Sequence, residues 1–283
     1  SDLQVRALIL SGAYPDDAAV HAYYGSVAED IKNELDTGMR LAENGYFAGA
    51  SSYQIEPKED GVGFEIYLLA EYRQTLSEVL AETPMTQSGA VNLGLDLCSA
   101  LCSLREAGLI HRNVKPSNVY LSSSGHYLLG DLGIAKIDEL KYCSMPENML
   151  SSFSAPELFS LLGTIEPTTD IYSVGMILYR IYNGNHGPFE EEKTSARAAD
   201  KLRVTGQQLP APMYADYEMA DILLKACAFK PEDRYQTPQE LQEALLEYGK
   251  RNEASDALIV PPIEGEPEQI DPSAEEEVEP VQF

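Results

Sequence analysis

Eight consecutive residues, His111-Arg112-Asn113-Val114-Lys115-Pro116-Ser117-Asn118, gather an imidazole, a guanidinium, an ammonium and two carboxamides. What the stretch lacks is a carboxylate. At Asn113 a carboxylate would accept a proton and attract developing positive charge. The carboxamide there is neutral, nearly non-basic and presents two N–H donors. The stretch therefore carries polar groups without a carboxylate base.

Four further motifs follow it in order. They are Gly130-Asp131-Leu132-Gly133, then Ala155-Pro156-Glu157, then Asp170-Ile171-Tyr172-Ser173-Val174-Gly175, and last Pro231-Glu232-Asp233-Arg234-Tyr235. Together they resemble the protein kinases, of the serine/threonine kind and of the eukaryote-like type found in bacteria. The catalytic loop of that family is written H-R-D-x-K-P-x-x-N, its magnesium loop D-F-G and its activation segment ends in A-P-E. The likeness runs from about Leu3 to about Lys250 and departs from the family at the acidic position, which is Asn113. The fold class it implies is α+β and bilobal. A small β-rich lobe would span 1–72, a large helical lobe 73–250, and an acidic Pro/Glu-rich tail or linker 251–283.

The resemblance assigns roles residue by residue. Asn113 takes the place of the base that accepts the substrate proton, and Lys115 that of the residue neutralising the transferred phosphoryl group. Asn118 and Asp131 stand where the family holds magnesium, and a weak Mg- or Mn-dependent ATP site is the most that is expected of them. His21 falls where a phosphate-binding Lys belongs, in a V-A-x-K-like strand. It is too short and too often neutral to copy a Lys, and it is better read as a plain strand histidine. Glu34 matches the carboxylate that pairs with that Lys. Leu150 stands where a Thr would hydrogen-bond the catalytic groups. Ala19, Ala70, Glu71, Arg73 and Tyr120 are the equivalents of the adenine pocket. The Tyr120 ring either stacks on a base or fills the pocket, and filling is favoured because Ala70 leaves space nearby. His111, Arg112, Glu157, Asp170 and Arg234 are structural, with Arg234 pairing Glu157.

The elements that must position these residues can be read from pattern. Leu3–Leu10 reads as a strand, a turn cluster at Ser11–Asp17 follows, and Ala18–Tyr24 reads as a second strand. Upstream of His21 there is no G-x-G-x-x-G, so Leu3–Leu10 is expected as an unpaired edge strand able to template a dimer. Ile31, Leu35, Met39 and Ala42 repeat at helical spacing within Val27–Glu43. Gly45–Ile55 and Val62–Ala70 read as a hairpin. Gln87–Glu106 is a long helix stopped by Gly108. Val119–Leu121 and Tyr127–Leu129 form a second hairpin. Thr169–Tyr182, Ser195–Leu202, Met219–Cys227 and Pro238–Tyr248 complete a helical large lobe. The segment after Arg251 holds no Lys or Arg, many Glu and repeated Pro, and reads as a solvated tail with Leu258-Ile259-Val260 as its one apolar anchor.

Composition narrows the partners. A formal charge of −26 over 283 residues argues against nucleic acid and anionic membrane surfaces. No C-x-x-C pair joins Cys98, Cys102, Cys143 and Cys227, so neither a zinc site nor a disulfide framework is favoured. There is no signal peptide and no apolar run of spanning length. A cytoplasmic domain, free or attached to a membrane protein, is expected. The leading functional reading is a pseudokinase, a kinase-like binding or scaffolding module that works on a protein partner. The alternatives are an atypical, weakly active serine/threonine kinase and an active kinase disabled by an engineered Asp→Asn change at Asn113.

Overall fold

A computed structural model describes residues 9–12, 14–58, 63–83, 85–130, 135–136, 150–160, 163–190, 195–252 and 257–259. Helix α1 (Asp17–Ala42) leads into an antiparallel hairpin of β1 (Ser52–Pro57) and β2 (Phe64–Leu69). Two helices follow, α2 (Leu76–Glu82) and α3 (Gln87–Glu106), then the short strand β3 (Leu109–Ile110). The hairpin β4 (Val119–Leu121) and β5 (Tyr127–Leu129) comes next, and β6 (Ala135–Lys136) returns to pair with β3. The rest is helical: α4 (Pro167–Ile181), α5 (Ala196–Val204), α6 (Tyr217–Ala226) and α7 (Pro238–Arg251).

The start of the chain differs from expectation. Ala18–Tyr24 is not a strand but the first turns of α1. The Asp16 side chain accepts the Ala19 N–H at 2.8 Å and caps the helix. With that cap, Ala18, Ala19 and Ala22 favour helix, and the β-preferring Val20, Tyr23 and Tyr24 are carried along. Ile9 and Leu10 are helical as well, closed by a Gly12 N–H to Ile9 carbonyl bond. Ile9, Tyr14 and Tyr24 pack around the buried Val20. The edge strand that was to carry a dimer is therefore not formed at Ile9 and Leu10, and residues 1–8 lie outside the described residues.

Two helices make the core of the large lobe. On α3 the buried face comprises Leu93, Leu97, Leu101 and Leu104. It packs against α4, which is buried on every side except Pro167 and Arg180 and so acts as the central post. Leu178 of α4 and Leu245 of α7 close on Gly94, where a Cβ would stand 2.6 Å from a Leu245 methyl. Phe47, in the loop before β1, is 3 % exposed and sits in this same core. The Ala48 N–H donates to the Leu129 carbonyl at 2.8 Å, tying the small lobe to the β4–β5 hairpin.

Within the segment read as a solvated tail, the described residues 257–259 dock at the anchor expected there, and residues 260–283 lie outside the described residues. Thr86 and Leu258 form an antiparallel bridge, the Gln87 N–H donates to the Ala257 carbonyl, and the Ile259 N–H donates to the Met85 carbonyl. Ile259 is 5 % exposed and joins the main core. Among the described residues no helix is long and apolar enough to cross a membrane.

Arg234 pairs with Glu157 as expected, in a bidentate fork of two 2.8 Å bonds. Its remaining donors reach the carbonyls of Thr168, Ala228 and Phe229. The guanidinium is fully buried. Removing one partner of such a pair strands a buried charge, which costs about 3–5 kcal/mol. Arg234→Met should lower unfolding stability by that amount in urea titrations, and Glu157→Leu combined with Arg234→Met should lose less than the sum of the two single changes. Ile259→Ala should cost about 2 kcal/mol or more if the docked segment is part of the cooperative fold, read by the same titration.

Candidate functional site

The cleft lies between α1, the β1–β2 hairpin and the loop that follows β3. That loop begins at His111, which is fully buried. Its Nδ1 faces the Asn113 N–H at 3.3 Å, and Nε2 lies 3.0 Å from the Gly130 carbonyl. An acceptor at Nδ1 leaves the ring proton on Nε2, donating to Gly130. Burial chiefly, with the Arg112 charge adding, pushes the imidazole down to about 4, so it stays neutral at physiological pH.

Beneath the loop sits Asp170, on the first turn of α4. Its carboxylate oxygens accept the His111 and Arg112 backbone N–H groups, each at 2.7 Å. Arg112 occupies the left-handed region at φ 64°, a conformation that costs a non-glycine residue energy and needs external support. The two bonds to Asp170 supply it. Burial raises the Asp170 carboxyl to about 6, against the pull of those donors and of Arg112.

The loop then turns Asn113 toward the cleft. The Asn118 side-chain amide donates to the Asn113 carbonyl at 2.9 Å, closing the loop on itself. Gly130 donates its N–H to the Asn118 carbonyl, and a Cβ there would stand 2.6 Å from the Tyr120 ring. Only glycine allows that approach, and Tyr120 is among the residues that line the cleft. The cleft is a cavity of about 470 Å³ whose lining includes Glu34, Ala70, Glu71, Arg73, Asn113 and Tyr120.

Of the sequence-expected residues, those six come together there. His111, Arg112 and Asp170 form the support below, and Glu157 and Arg234 lie deeper in the large lobe. Two assignments are corrected. His21 is exposed on α1 rather than on a strand over the cleft, and neither it nor Ala19 lines the cavity. Both were placed by a strand that the Asp16-capped helix replaces. Leu150 packs against Ile110, Leu158 and Ile165, so its side chain is committed to an apolar cluster. Lys115 is half-buried and outside the cavity lining. Asn118 is buried, and Asp131 lies outside the described residues, so no cation pair is described. From α1 sequence reasoning anticipated Glu34 alone. Ile31, Leu35 and Met39, read there only as an apolar stripe, face the cleft.

Residues 60–246 match the protein kinase domain family. This chain belongs to the protein kinase family. It is 31 % identical over 192 residues to the serine/threonine-protein kinase PknB of Mycobacterium tuberculosis, covering 64 % of this chain and 30 % of that protein. It is also 31 % identical over 242 residues to a probable serine/threonine-protein kinase of Corynebacterium efficiens, covering 81 % of this chain and 36 % of that one. PknB of Mycolicibacterium smegmatis is 30 % identical over 189 residues, with 64 % and 30 % coverage. The chain thus spans about a third of the length of these curated relatives. The family match opens at residue 60, after α1 and β1, and α1 is the element that departs from the expected strand.

His111 provides a pH test. Its folded value is lowered from 6.5 to about 4, so between those values the unfolded chain binds a proton that the folded chain refuses. Stability from this group is present above about pH 6.5 and is lost as pH falls toward 4. His111→Phe lacks the term. The stability gap between parent and His111→Phe should therefore narrow by about 2 kcal/mol from pH 7 to pH 5, measured by urea unfolding at each pH. A constant gap would show that the imidazole is not held neutral.

Proposed function

We propose that this chain is a pseudokinase, a kinase-like binding or regulatory domain that does not transfer phosphate. The observation that carries the reading is Asn113, which lines the cleft at the position where the family places its proton acceptor. An amide cannot take the substrate proton, and general-base assistance is worth about 10²–10⁴ in rate. Three further observations support it. Leu150 spends its side chain on packing where a hydroxyl would brace the catalytic groups. Tyr120 lines the cleft with its ring close to Gly130. Glu34, the carboxylate that would hold a phosphate-binding Lys, has no hydrogen bond or ion pair to any described residue. On this reading the chain is a cytoplasmic module whose output is contact with a protein partner.

A second reading, an atypical and weakly active serine/threonine kinase, is favoured by the intact Lys115 and Asn118 and by the kinases this chain resembles. One experiment separates the two. Radiolabelled ATP with Mg²⁺ or Mn²⁺ is given to the parent and to Asn113→Asp, and incorporation into the chain and a generic protein substrate is counted. The pseudokinase reading expects no incorporation in either, because phosphoryl transfer is mainly positioning and charge stabilisation, and restoring the base alone leaves the phosphates unclamped. Robust metal-dependent incorporation by Asn113→Asp would establish a kinase with a single lesion.

A further inference from the structure

The cleft has an unusual charge balance for a site in a nucleotide-using family. Arg73 is the one basic residue in its lining among the described residues, and its guanidinium is paired with Glu71. Glu34 is left over. It projects from α1 into the cavity, half-buried, with no hydrogen bond or ion pair from any described residue. Burial raises its carboxyl, and neighbouring Asp30 adds to the rise while the Arg112 charge works against it. A carboxylate losing water without a partner favours the arrival of a cation and opposes a polyanion.

Much of the remaining lining is apolar. Ile31, Leu35 and Met39 of α1, Leu68 of β2 and Tyr120 all line the cavity. An aromatic side chain and a carboxylate in one lining suit the same kind of guest, since a cationic ring system is attracted by both. Asn113 adds an amide that can donate or accept at the mouth.

We infer that this cleft binds a small planar aromatic cation, with the ring on Tyr120 and the protonated nitrogen on Glu34, in place of a nucleoside triphosphate. The inference rests on the pseudokinase reading and gives its cleft a ligand class. The cavity of about 470 Å³ lies within the usual size range of small-molecule sites, roughly 300–1,000 Å³, and admits a two- or three-ring compound.

The test is a calorimetric titration of the full chain at pH 7.5 with three probes: 9-aminoacridine, a planar monocation; acridine-9-carboxylate, a planar anion of similar shape; and Mg·ATP. The expected result is binding of the cation at least about tenfold tighter than either anion. Glu34→Gln should weaken the cation by about tenfold or more, the cost of losing one charge-assisted contact. Glu29→Gln, which removes an exposed carboxylate of the same helix outside the cavity, should leave it unchanged and so exclude attraction by net charge alone. Equal affinity for the cation and its anionic counterpart, or equal losses in Glu34→Gln and Glu29→Gln, would overturn the inference and leave the pseudokinase reading standing. Mg·ATP that displaces the acridinium and is turned over would instead overturn that reading.

Discussion

A single buried carboxylate sets the geometry of the site. Asp170 takes two backbone N–H groups of the His111–Asn118 loop, and through them holds Arg112 in a backbone region that a side chain otherwise avoids. It can do so because α4 is enclosed on almost every side by its neighbours and cannot tilt. Fixing His111 and Arg112 fixes the direction of Asn113, the residue that meets the cleft. The neutral imidazole bound to the Gly130 carbonyl ties the same loop to the end of β5. Loop, central helix and hairpin thus form one hydrogen-bonded unit, supported from below by the Glu157–Arg234 pair that anchors the segment leading into α4.

That frame is independent of the chemistry above it. Asp170, His111, Glu157 and Arg234 work through backbone shape and buried charge, and none needs a base, a metal or a phosphate. Asn113 and Leu150 can therefore differ from the family pattern without loosening the loop. Indeed Leu150 contributes to packing what it cannot contribute in hydrogen bonds. The docked Ala257–Ile259 segment adds to the same economy, since the Ala257 carbonyl accepts the Gln87 N–H, a first-turn donor of α3 that has no intrahelical acceptor.

The large lobe was legible in the sequence for physical reasons that differ by element. Gln87–Glu106 is bounded by a Thr86 cap and by Gly108 at φ 70°, a turn that only glycine makes cheaply, so both of its ends are written locally. The β4–β5 hairpin follows from two short apolar runs either side of a Ser/Gly turn. By contrast α2 is only seven residues long, too short for its periodicity to stand out, and it is held by a Thr75–Glu78 capping box. The error at Ala18–Tyr24 came from reading Val and Tyr as strand formers while Asp16 was counted as part of a turn. The same Asp starts a helix once its side chain folds back on Ala19.

The residue types alone determined that no carboxylate stands at Asn113 and that the large lobe is helical. These are statements about chemistry, local caps and periodicity, which survive without coordinates, whereas the pairing of Arg234 with Glu157 was implied by the resemblance to the kinases. Tertiary structure decided the rest. Whether His21 or Glu34 faces the cleft depends on the phase and length of α1, and every step of 100° around a helix redirects a side chain. Whether Ile259 is tail or core depends on the Met85–Thr86 segment against which it bridges, far earlier in the chain. The charge of the cleft likewise belongs to no segment, because Arg73 is cancelled by its neighbour Glu71 while Glu34 has no ion pair among the described residues and feels Arg112 only through space.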